Sequence, residues 1–238
     1  MGRRGCRAAA LAALWSVVFV LPASGQARPA PRQAPAGPTP RAGSWEVGGG
    51  VAYVGGFDLG DAAAELTRNT GSSGSPFTLF VTSWEVGPAP GVEGRLAYYF
   101  SPRFAVEGRV RFAQPVLGIE ASADTEGAPD VTAEETLDQY VFGGSALWHF
   151  ARPSPRTRVV PFVFGGAAYL RELHEGQELV ETGRDYQAGA GVKVWFGSAR
   201  RRLGIRGDAG LAIRDGGVDP ETNLRAVPIA GASLIYLF

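Results

Sequence analysis

The chain has 238 residues, of which 45% are hydrophobic and 19% are charged. This length and composition suit one large all-β domain or two smaller ones and exclude a disordered chain. The 23 basic residues are balanced by 23 acidic residues, so the charge gives no reason to expect nucleic-acid binding. The 34 glycines argue against long helices, where each costs about 1 kcal/mol relative to alanine, and favour closely packed strands.

The N-terminus has the organisation of a secretory signal. An arginine-rich start precedes an apolar run from Ala8 to Leu21, and small residues follow this run. We therefore predict that residues 1–27 are a signal peptide, cleaved after about Ala27. A transmembrane anchor is the alternative, but the run is short for a hydrocarbon core of about 30 Å. The only cysteine, Cys6, lies before the run, so the exported chain would contain no disulfide.

A proline-rich segment comes next. Residues 28–43 read RPAPRQAPAGPTPRAG and contain five prolines. This composition favours extended polyproline II structure and cannot build a hydrophobic core. We predict a tail or linker here, which leaves residues 44–238 as the folded domain.

From Trp45 onward, apolar and polar residues alternate with a period of two, which is the pattern of strands with one apolar face. Eight segments show this alternation, four of them clearly and four less regularly. The clear segments are 92–100, 104–113, 185–196 and 203–214, and the others are 45–54, 139–150, 159–171 and 224–238. In 159–171 and 224–238 both faces are apolar near one end, so periodicity does not say which side points inward there.

The same alternation fits a soluble sandwich or lipocalin-like barrel, with the apolar face inside, and a membrane barrel, with the apolar face outside. Here the polar faces combine charged residues with glycine, alanine and serine, while the bulky residues collect on the other face. This arrangement favours a narrow closed barrel in lipid. Short connections also alternate with longer polar ones, at 101–103, 151–158 and 197–202 against 55–76, 122–134, 172–184 and 215–223.

Aromatic residues gather at the strand ends, where the two membrane interfaces would lie. One predicted girdle consists of Trp45, Phe100, Phe104, Trp148, Phe150, Phe196, Tyr236 and Phe238. The other predicted girdle consists of Tyr53, Phe112, Tyr140 and Tyr186. These features predict an all-β fold, namely a closed, antiparallel, eight-stranded, up-and-down transmembrane β-barrel.

In this architecture the chain resembles the small eight-stranded outer-membrane barrels, such as the transmembrane domain of outer-membrane protein A. The resemblance covers residues 45–238 and includes the terminal strand LRAVPIAGASLIYLF. It implies export to the outer membrane, with both ends of the barrel in the periplasm. It also implies that the barrel-assembly machinery reads Leu234, Tyr236 and Phe238 as an assembly signal. Pro228 departs from the family pattern, because proline donates no ladder hydrogen bond, and it predicts a bulge or the outer rim.

The apolar segment FTLFVTSWEV, residues 77–86, must be fitted into this barrel. Because both ends lie on the same side of the membrane, the number of strands is even, and this segment is not a ninth strand by itself. We predict that it is an extracellular extension of the second strand, running into residues 92–100 through GPAPG.

Charged residues on the inward faces predict a network of ion pairs, because charges inside a narrow barrel must be paired. Pairing of neighbouring strands would place Glu93 opposite Arg111 and Lys193 diagonal to Asp208. The predicted network comprises Glu93, Arg95, Glu107, Arg109, Arg111, Lys193, Arg206 and Asp208. Side chains just fill an eight-stranded barrel, so we expect a structural plug, with a gated ion path as the alternative.

The predicted outer loops are acidic, whereas the short turns are rich in arginine. The loops therefore offer a binding surface for an extracellular ligand or for divalent cations. No spacing matches a metal-ligand motif, so we predict no metal site and no cofactor. An enzyme that modifies lipid A would need a histidine and a nucleophile near the outer leaflet. His149 lies at the periplasmic end of its strand, and His174, near the outer rim, has no adjoining serine.

The sequence thus predicts an outer-membrane protein with a structural or surface-interaction role. We expect a monomer in contact with outer-membrane lipid, without catalytic activity and without a nucleic-acid partner. A narrow gated ion channel and a lipid A-modifying enzyme are the alternatives.

Overall fold

The structure is a computed structural model, and it describes residues 40–66, 77–151, 158–174, 179–196, 202–218 and 224–238. Within these ranges all regular elements are β-strands. No helix there is long and apolar enough to cross a membrane. The predicted signal peptide and residues 28–39 of the proline-rich segment lie outside the described residues.

Twelve strands follow one another in the described part of the chain. They are β1 (Trp45–Val54), β2 (Phe57–Leu66), β3 (Phe77–Val86), β4 (Ala89–Tyr99), β5 (Phe104–Ala113), β6 (Val116–Ser122), β7 (Val131–Thr136), β8 (Asp138–His149), β9 (Val159–Leu173), β10 (Val180–Phe196), β11 (Leu203–Gly216) and β12 (Arg225–Leu237). Eight strands close an antiparallel barrel in the order β1-β12-β11-β10-β9-β8-β5-β4. The predicted eight-stranded barrel is confirmed, and each of the eight predicted segments supplies one of its strands.

The barrel closes between its first and last strands, β1 and β12. Tyr236 pairs with Val47, and the ladder continues to Ile229. Pro228 follows at the end of this ladder, where its carbonyl accepts a hydrogen bond of 2.7 Å from the N–H of Gly55. It lies at a rim, where the missing N–H interrupts no bond to β1. Closure leaves the barrel without a free strand edge.

Alternate residues of the barrel strands point to opposite sides of the wall. Large apolar side chains point outward, and Val92 and Leu234 are 58% and 60% exposed. Charged side chains such as Glu107 point inward and are buried. An apolar exterior around a polar interior is the reverse of a soluble barrel and suits a surface in contact with lipid.

Exposed aromatic residues mark both ends of this apolar surface. Trp45, Trp148 and Phe238 belong to the predicted girdle at the end with the short connections, which we call the turn end. At the other end, which we call the sheet end, Phe142 and Tyr169 add exposed rings that the sequence analysis did not assign to a girdle. The two aromatic levels bound the part of the wall that faces hydrocarbon.

Four strands extend beyond the sheet end of the barrel. They form a second antiparallel sheet in the order β2-β3-β6-β7, which we call the outer sheet. Its strands directly follow or precede β1, β4, β5 and β8, in the order in which those strands are neighbours in the barrel. Glycine and proline lie at the breaks, as in Gly55-Gly56 and Gly87-Pro88. As predicted, residues 77–86 directly precede the second barrel strand, β4. They form a strand of their own, β3, which pairs in the outer sheet.

Two of the predicted loops contain strands of the outer sheet that were not predicted. The interval 55–76 contains β2, and the interval 122–134 contains the start of β7. In β2 the register shifts between Asp58 and Gly60 and again between Ala64 and Glu65. Each β-bulge breaks the period of two, and the alanine-rich sequence has low strand propensity. The alternation that revealed the other strands is therefore missing from β2.

Inward glycines let the neighbouring strands of the barrel approach closely. A Cβ atom on Gly50 would collide with the carbonyl oxygen of Ala232, and one on Gly166 with that of Gly144. These contacts involve backbone atoms, which cannot turn aside as a flexible side chain can. Glycine at these positions is a requirement of the curved wall.

Candidate functional site: a charged interior and an acidic outer sheet

The interior of the barrel contains buried charges of both signs. Six are acidic and six are basic, namely Glu46, Glu93, Glu107, Glu172, Asp185 and Asp208, and Arg95, Arg109, Arg111, Lys193, Arg206 and Arg214. They form three layers along the barrel, described in turn below. Burial of this many charges requires close pairing, because each ion loses its hydration.

The layer at the turn end is built on Lys193, whose side chain is fully buried. Its Nζ donates hydrogen bonds of 2.7 and 2.9 Å to the two carboxylate oxygens of Glu46 and one of 2.9 Å to the hydroxyl of Tyr99. The Tyr99 hydroxyl in turn donates to Glu46 Oε2 at 2.5 Å. Lys193 also lies 5.5 Å from the ring centroid of Phe162, within cation–π range. The layer is compact and balanced in charge.

The central layer links strands on opposite sides of the barrel. Arg95 donates to Glu93 at 2.8 Å, to Asp208 at 3.1 Å and to Glu107 at 3.4 Å. Arg206 donates to Asp208 at 2.9 Å and forms a short ion pair with Glu107. Since Arg95 lies on β4 and Asp208 on β11, this layer crosses the lumen and joins wall segments that are not adjacent.

Arg109 adds a third cation beside the central layer. Its backbone pairs with that of Arg95 across the β4–β5 ladder and with that of Gly143 on β8. Arg109 is 6% exposed, and neither its Nε nor its Nη2 has a hydrogen-bond partner among the described residues. With Arg109, the central layer has three cations against three carboxylates, so its formal charge is also zero.

The layer near the sheet end joins β5, β9, β10 and β11. Arg214 donates to Asp185 at 3.1 Å and to Glu172 at 3.2 Å, and Arg111 lies 3.6 Å from Asp185. Gln139 donates a further hydrogen bond of 2.7 Å to Glu172. Two cations again balance two carboxylates.

All eight residues of the predicted network lie inside the barrel, but several have partners other than those predicted from strand neighbours. Glu93 is opposite Arg111 in the ladder, yet its ion pair is with Arg95. Lys193 pairs with Glu46 and not with the diagonal Asp208. The side chains lean across the lumen, so the contacts depend on the curvature of the barrel.

Four charged residues of the layers were absent from the predicted network. They are Glu46, Glu172, Asp185 and Arg214. Glu46, Asp185 and Arg214 already stood on the polar faces of predicted strands, and that alternation was the available signal. Glu172 fell within a predicted loop, because β9 and β10 run further outward than their periodicity indicated.

Apolar side chains also fill the interior at the turn end, where the sequence analysis expected small residues and ion pairs. Phe162, Phe164 and Trp195 form a buried cluster there with Leu147 and Ile235. Phe162 and Phe164 belong to the stretch of β9 that is apolar on both faces. Alternation therefore could not predict whether these two rings point inward or outward. Ion pairs and packed rings therefore both occupy the interior of the barrel.

The outer sheet has one apolar face and one acidic face. Leu59, Val86, Leu117 and Leu137 are buried together on the apolar side, and Trp84 and Ile119 pack against them. The opposite face carries five exposed carboxylates, at Asp58, Asp61, Glu85, Glu120 and Glu134. The sheet therefore has a small core of its own and presents its charges to water.

The two histidines occupy different environments. His149 is buried at the turn end, with Nδ1 3.3 Å from the carbonyl oxygen of Arg103. His174 lies beyond the sheet-end girdle, with Nδ1 3.0 Å from Glu135 and Nε2 3.8 Å from Glu181. Burial raises the pKa of the Glu181 carboxyl, and the neighbouring His174 opposes this rise. Among the described residues, the His174 ring thus lies against two carboxylates.

In the part of the chain that the structure describes, no three His, Cys, Asp or Glu side chains come together closely enough to hold a metal ion. The carboxylates of the acidic face are spread over four strands. Their arrangement suits an extended cationic surface better than a single cation.

An apolar exterior, a charged interior and two levels of aromatic residues are the features of a barrel that crosses a membrane. A family described as the outer membrane protein beta-barrel domain matches residues 17–225. The chain belongs to this family. Membership places the protein in the outer membrane and confirms the resemblance to small outer-membrane barrels. No curated protein matches the sequence.

Three solved outer-membrane barrels are similar to this chain. The outer membrane protein OprG from Pseudomonas aeruginosa is 13% identical with a TM-score of 0.53, over 83% of this chain and 97% of OprG. The N-terminal β-barrel domain of Pseudomonas aeruginosa OprF has 13% identity and a TM-score of 0.43, over 82% and 98% of the two chains. Ail, the attachment invasion locus protein of Yersinia pestis, has 12% identity and a TM-score of 0.41, over 83% and 100%. The similarity to OprG shows the fold alone.

Proposed function

We propose that this outer-membrane barrel is a surface-interaction protein, in which the plugged barrel is the membrane anchor and the outer sheet binds a cationic partner outside the cell. The observation that carries the proposal is the composition of the outer sheet. Strands β2, β3, β6 and β7 contain seven acidic residues and no basic residue. A surface of one sign attracts partners of the opposite sign.

The arrangement of these carboxylates supports the proposal. Asp58 is directly opposite Glu85 across the β2–β3 ladder. Like charges at directly opposite positions destabilise a sheet. Asp61 and Glu120 flank Ser83 in the next row of the same face. A cationic partner would relieve the repulsion within this face, and its binding would be strongest at low ionic strength.

The filled interior supports the role of the barrel as an anchor. Each of its three layers has a formal charge of zero, and the apolar cluster containing Phe162, Phe164 and Trp195 lies at the turn end. A gated ion path is the second candidate function, and one observation favours it. Among the described residues, Arg109 Nε and Nη2 have no hydrogen-bond partner, and inward Gly143 beside Arg109 carries no side chain that would hold the guanidinium in place.

The terminal strand supports the proposed recognition by the barrel-assembly machinery. Leu234 and Tyr236 lie on the outward face of β12, Phe238 directly follows this strand, and each of the three is more than two-fifths exposed. The rings of Tyr236 and Phe238 are in contact, with centroids 5.0 Å apart. An apolar ridge at the end of the chain is accessible before the barrel closes against β1.

The binding role is tested with the full chain folded in phosphatidylcholine nanodiscs and a fluorescent lysine decapeptide as probe. The variant D61N/E85Q/E120Q removes three carboxylates of the acidic face and leaves Asp58, whose Oδ1 accepts a hydrogen bond from Gly60 N–H at 2.7 Å. We expect this variant to lose most of the binding that the natural chain shows at low salt.

The matched control is D124N/E126Q/D130N, which removes three carboxylates from the connection between β6 and β7. It should bind the peptide almost as well as the natural chain. Equal loss of binding in both variants would show that binding depends on net charge alone and not on the acidic face. Binding that is insensitive to salt would contradict the electrostatic basis of the proposal.

A further inference from the structure

The outer surface of the barrel carries two exposed cations. The nine cationic residues of the barrel strands are Arg95, Arg109, Arg111, Arg171, Arg184, Lys193, Arg206, Arg214 and Arg225. Six of them belong to the interior layers, and Arg225 donates a hydrogen bond of 2.8 Å to the carbonyl oxygen of Leu59. Arg171 on β9 and Arg184 on β10 are exposed on the outward face of the wall.

These two arginines are neighbours. Tyr169 is directly opposite Arg184 in the β9–β10 ladder, and Arg171 follows Tyr169 by two residues on the same face. Diagonal neighbours of this kind lie about 7–8 Å apart. Arginine side chains with this spacing are able to reach one phosphate group from two sides, with charge-assisted hydrogen bonds.

Their level along the barrel is that of the lipid headgroups. Tyr169 lies two residues from Arg171 on β9, and Tyr186 lies two residues from Arg184 on β10, each on the side of the membrane centre; both tyrosines are 48% exposed. Tyrosines of an aromatic girdle lie at the membrane interface. Arg171 and Arg184 therefore stand where the phosphates of the adjoining leaflet lie.

An open groove of about 560 Å³ runs along the wall beside Arg184. Phe142, Tyr169 and Tyr186 are its large side chains, and Gly144 and Ala167 lie between them. Because Gly144 and Ala167 have little or no side chain, the wall is recessed between the protruding rings. A groove of this kind gives an acyl chain more contact than a convex stretch of wall does, because it surrounds the chain on several sides.

We propose that this groove binds a phosphorylated lipid of the outer leaflet, with one acyl chain between the rings of Phe142, Tyr169 and Tyr186. Arg171 and Arg184 hold the phosphate. Asp215 is directly opposite Arg184 on its other side and faces outward with it. Its charge opposes phosphate binding, so its removal strengthens the site. This site is separate from the acidic face of the outer sheet.

The test uses the full chain folded in a non-ionic detergent and titrated with diphosphoryl lipid A, with binding followed by native mass spectrometry. The variants are R171Q, R184Q, R171Q/R184Q and D215N, each first checked for the mobility shift of a folded barrel. A cation near a charged lipid surface contributes enough to change binding about fivefold. We therefore expect about fivefold weaker binding for each single arginine variant and about 30-fold for the double variant, with tighter binding for D215N.

Two further arms identify the ligand. Lipid A of the same acyl composition without its phosphates should bind at least tenfold more weakly, and inorganic phosphate should not displace the diphosphoryl form. The proposal is overturned if the double arginine variant binds as well as the natural chain or if the phosphate-free lipid binds equally. Displacement by inorganic phosphate would assign the arginines to a free anion and would also overturn it.

Discussion

Removal of the Lys193 charge should destabilise the barrel strongly, because Glu46 remains behind as a buried and unmatched carboxylate. Lys193 is 0% exposed and Glu46 is 3% exposed, and the two are joined by hydrogen bonds of 2.7 and 2.9 Å. Loss of one partner from such a pair costs about 3–5 kcal/mol. Tyr99 still donates to Glu46 at 2.5 Å, which offsets part of this cost. For Lys193→Met we therefore expect the lower end of the range, about 3 kcal/mol.

The double variant K193M/E46Q separates charge from packing. Since it removes both ions, we expect its stability to return to within about 1 kcal/mol of the natural chain. The assay is urea unfolding in phosphatidylcholine vesicles, with the folded fraction read from gel mobility without boiling. Val192→Met, on the lipid side of the same strand, is the control and should change the free energy of unfolding by less than about 0.5 kcal/mol.

Two results would refute this reasoning. One is a K193M variant within about 1 kcal/mol of the natural chain, because the buried carboxylate would then be tolerated without its partner. The other is a double variant as unstable as the single one, because the loss would then come from the packing of the lysine stem against Tyr99 and Phe162.

Three further predictions concern assembly, conduction and folding. Deletion of Phe238 should impair insertion in cells far more than the urea stability of barrel refolded in vitro; normal insertion would count against the assembly signal. Arg109→Ala should leave single-channel recordings in planar bilayers as silent as those of the natural chain, and new conductance would favour the gated path. The unboiled protein in detergent should migrate differently from the boiled protein, and identical mobility would be inconsistent with a closed barrel.

The barrel was predictable because its rules are local and repetitive. A period of two marks each strand, and an even strand number with antiparallel neighbours fixes the order. The outer sheet was harder to predict, since β2 contains two register shifts and six of its ten residues are alanine, glycine or aspartate. Its existence depends on the apolar contacts among Leu59, Val86 and Leu117, which join residues far apart in the sequence.

The sequence predicted which charged residues point into the barrel much better than it predicted which of them form ion pairs with one another. Alternation places Glu46 and Lys193 on inward faces, but 147 positions of sequence separate them. Their contact requires closure of the barrel and a side chain that spans the lumen. The same holds for Arg95 and Asp208, on strands that are not adjacent. Pairing of adjacent strands predicts only which residues are ladder neighbours, whereas these ion pairs join side chains across the lumen of a narrow barrel.

The breaks between the barrel and the outer sheet make the sheet a pair of insertions. Val54 and Ala89, which bound the first excursion, are partners in the β1–β4 ladder. Ala113 and Gln139, which bound the second, are partners in the β5–β8 ladder. Each excursion leaves and re-enters the barrel at paired positions, so the β1–β4 and β5–β8 ladders are continuous without the residues between. We therefore expect the barrel to accept a shortened or exchanged outer sheet, provided that the contacts of Phe57 with Arg214 and of Leu59 with Arg225 are kept.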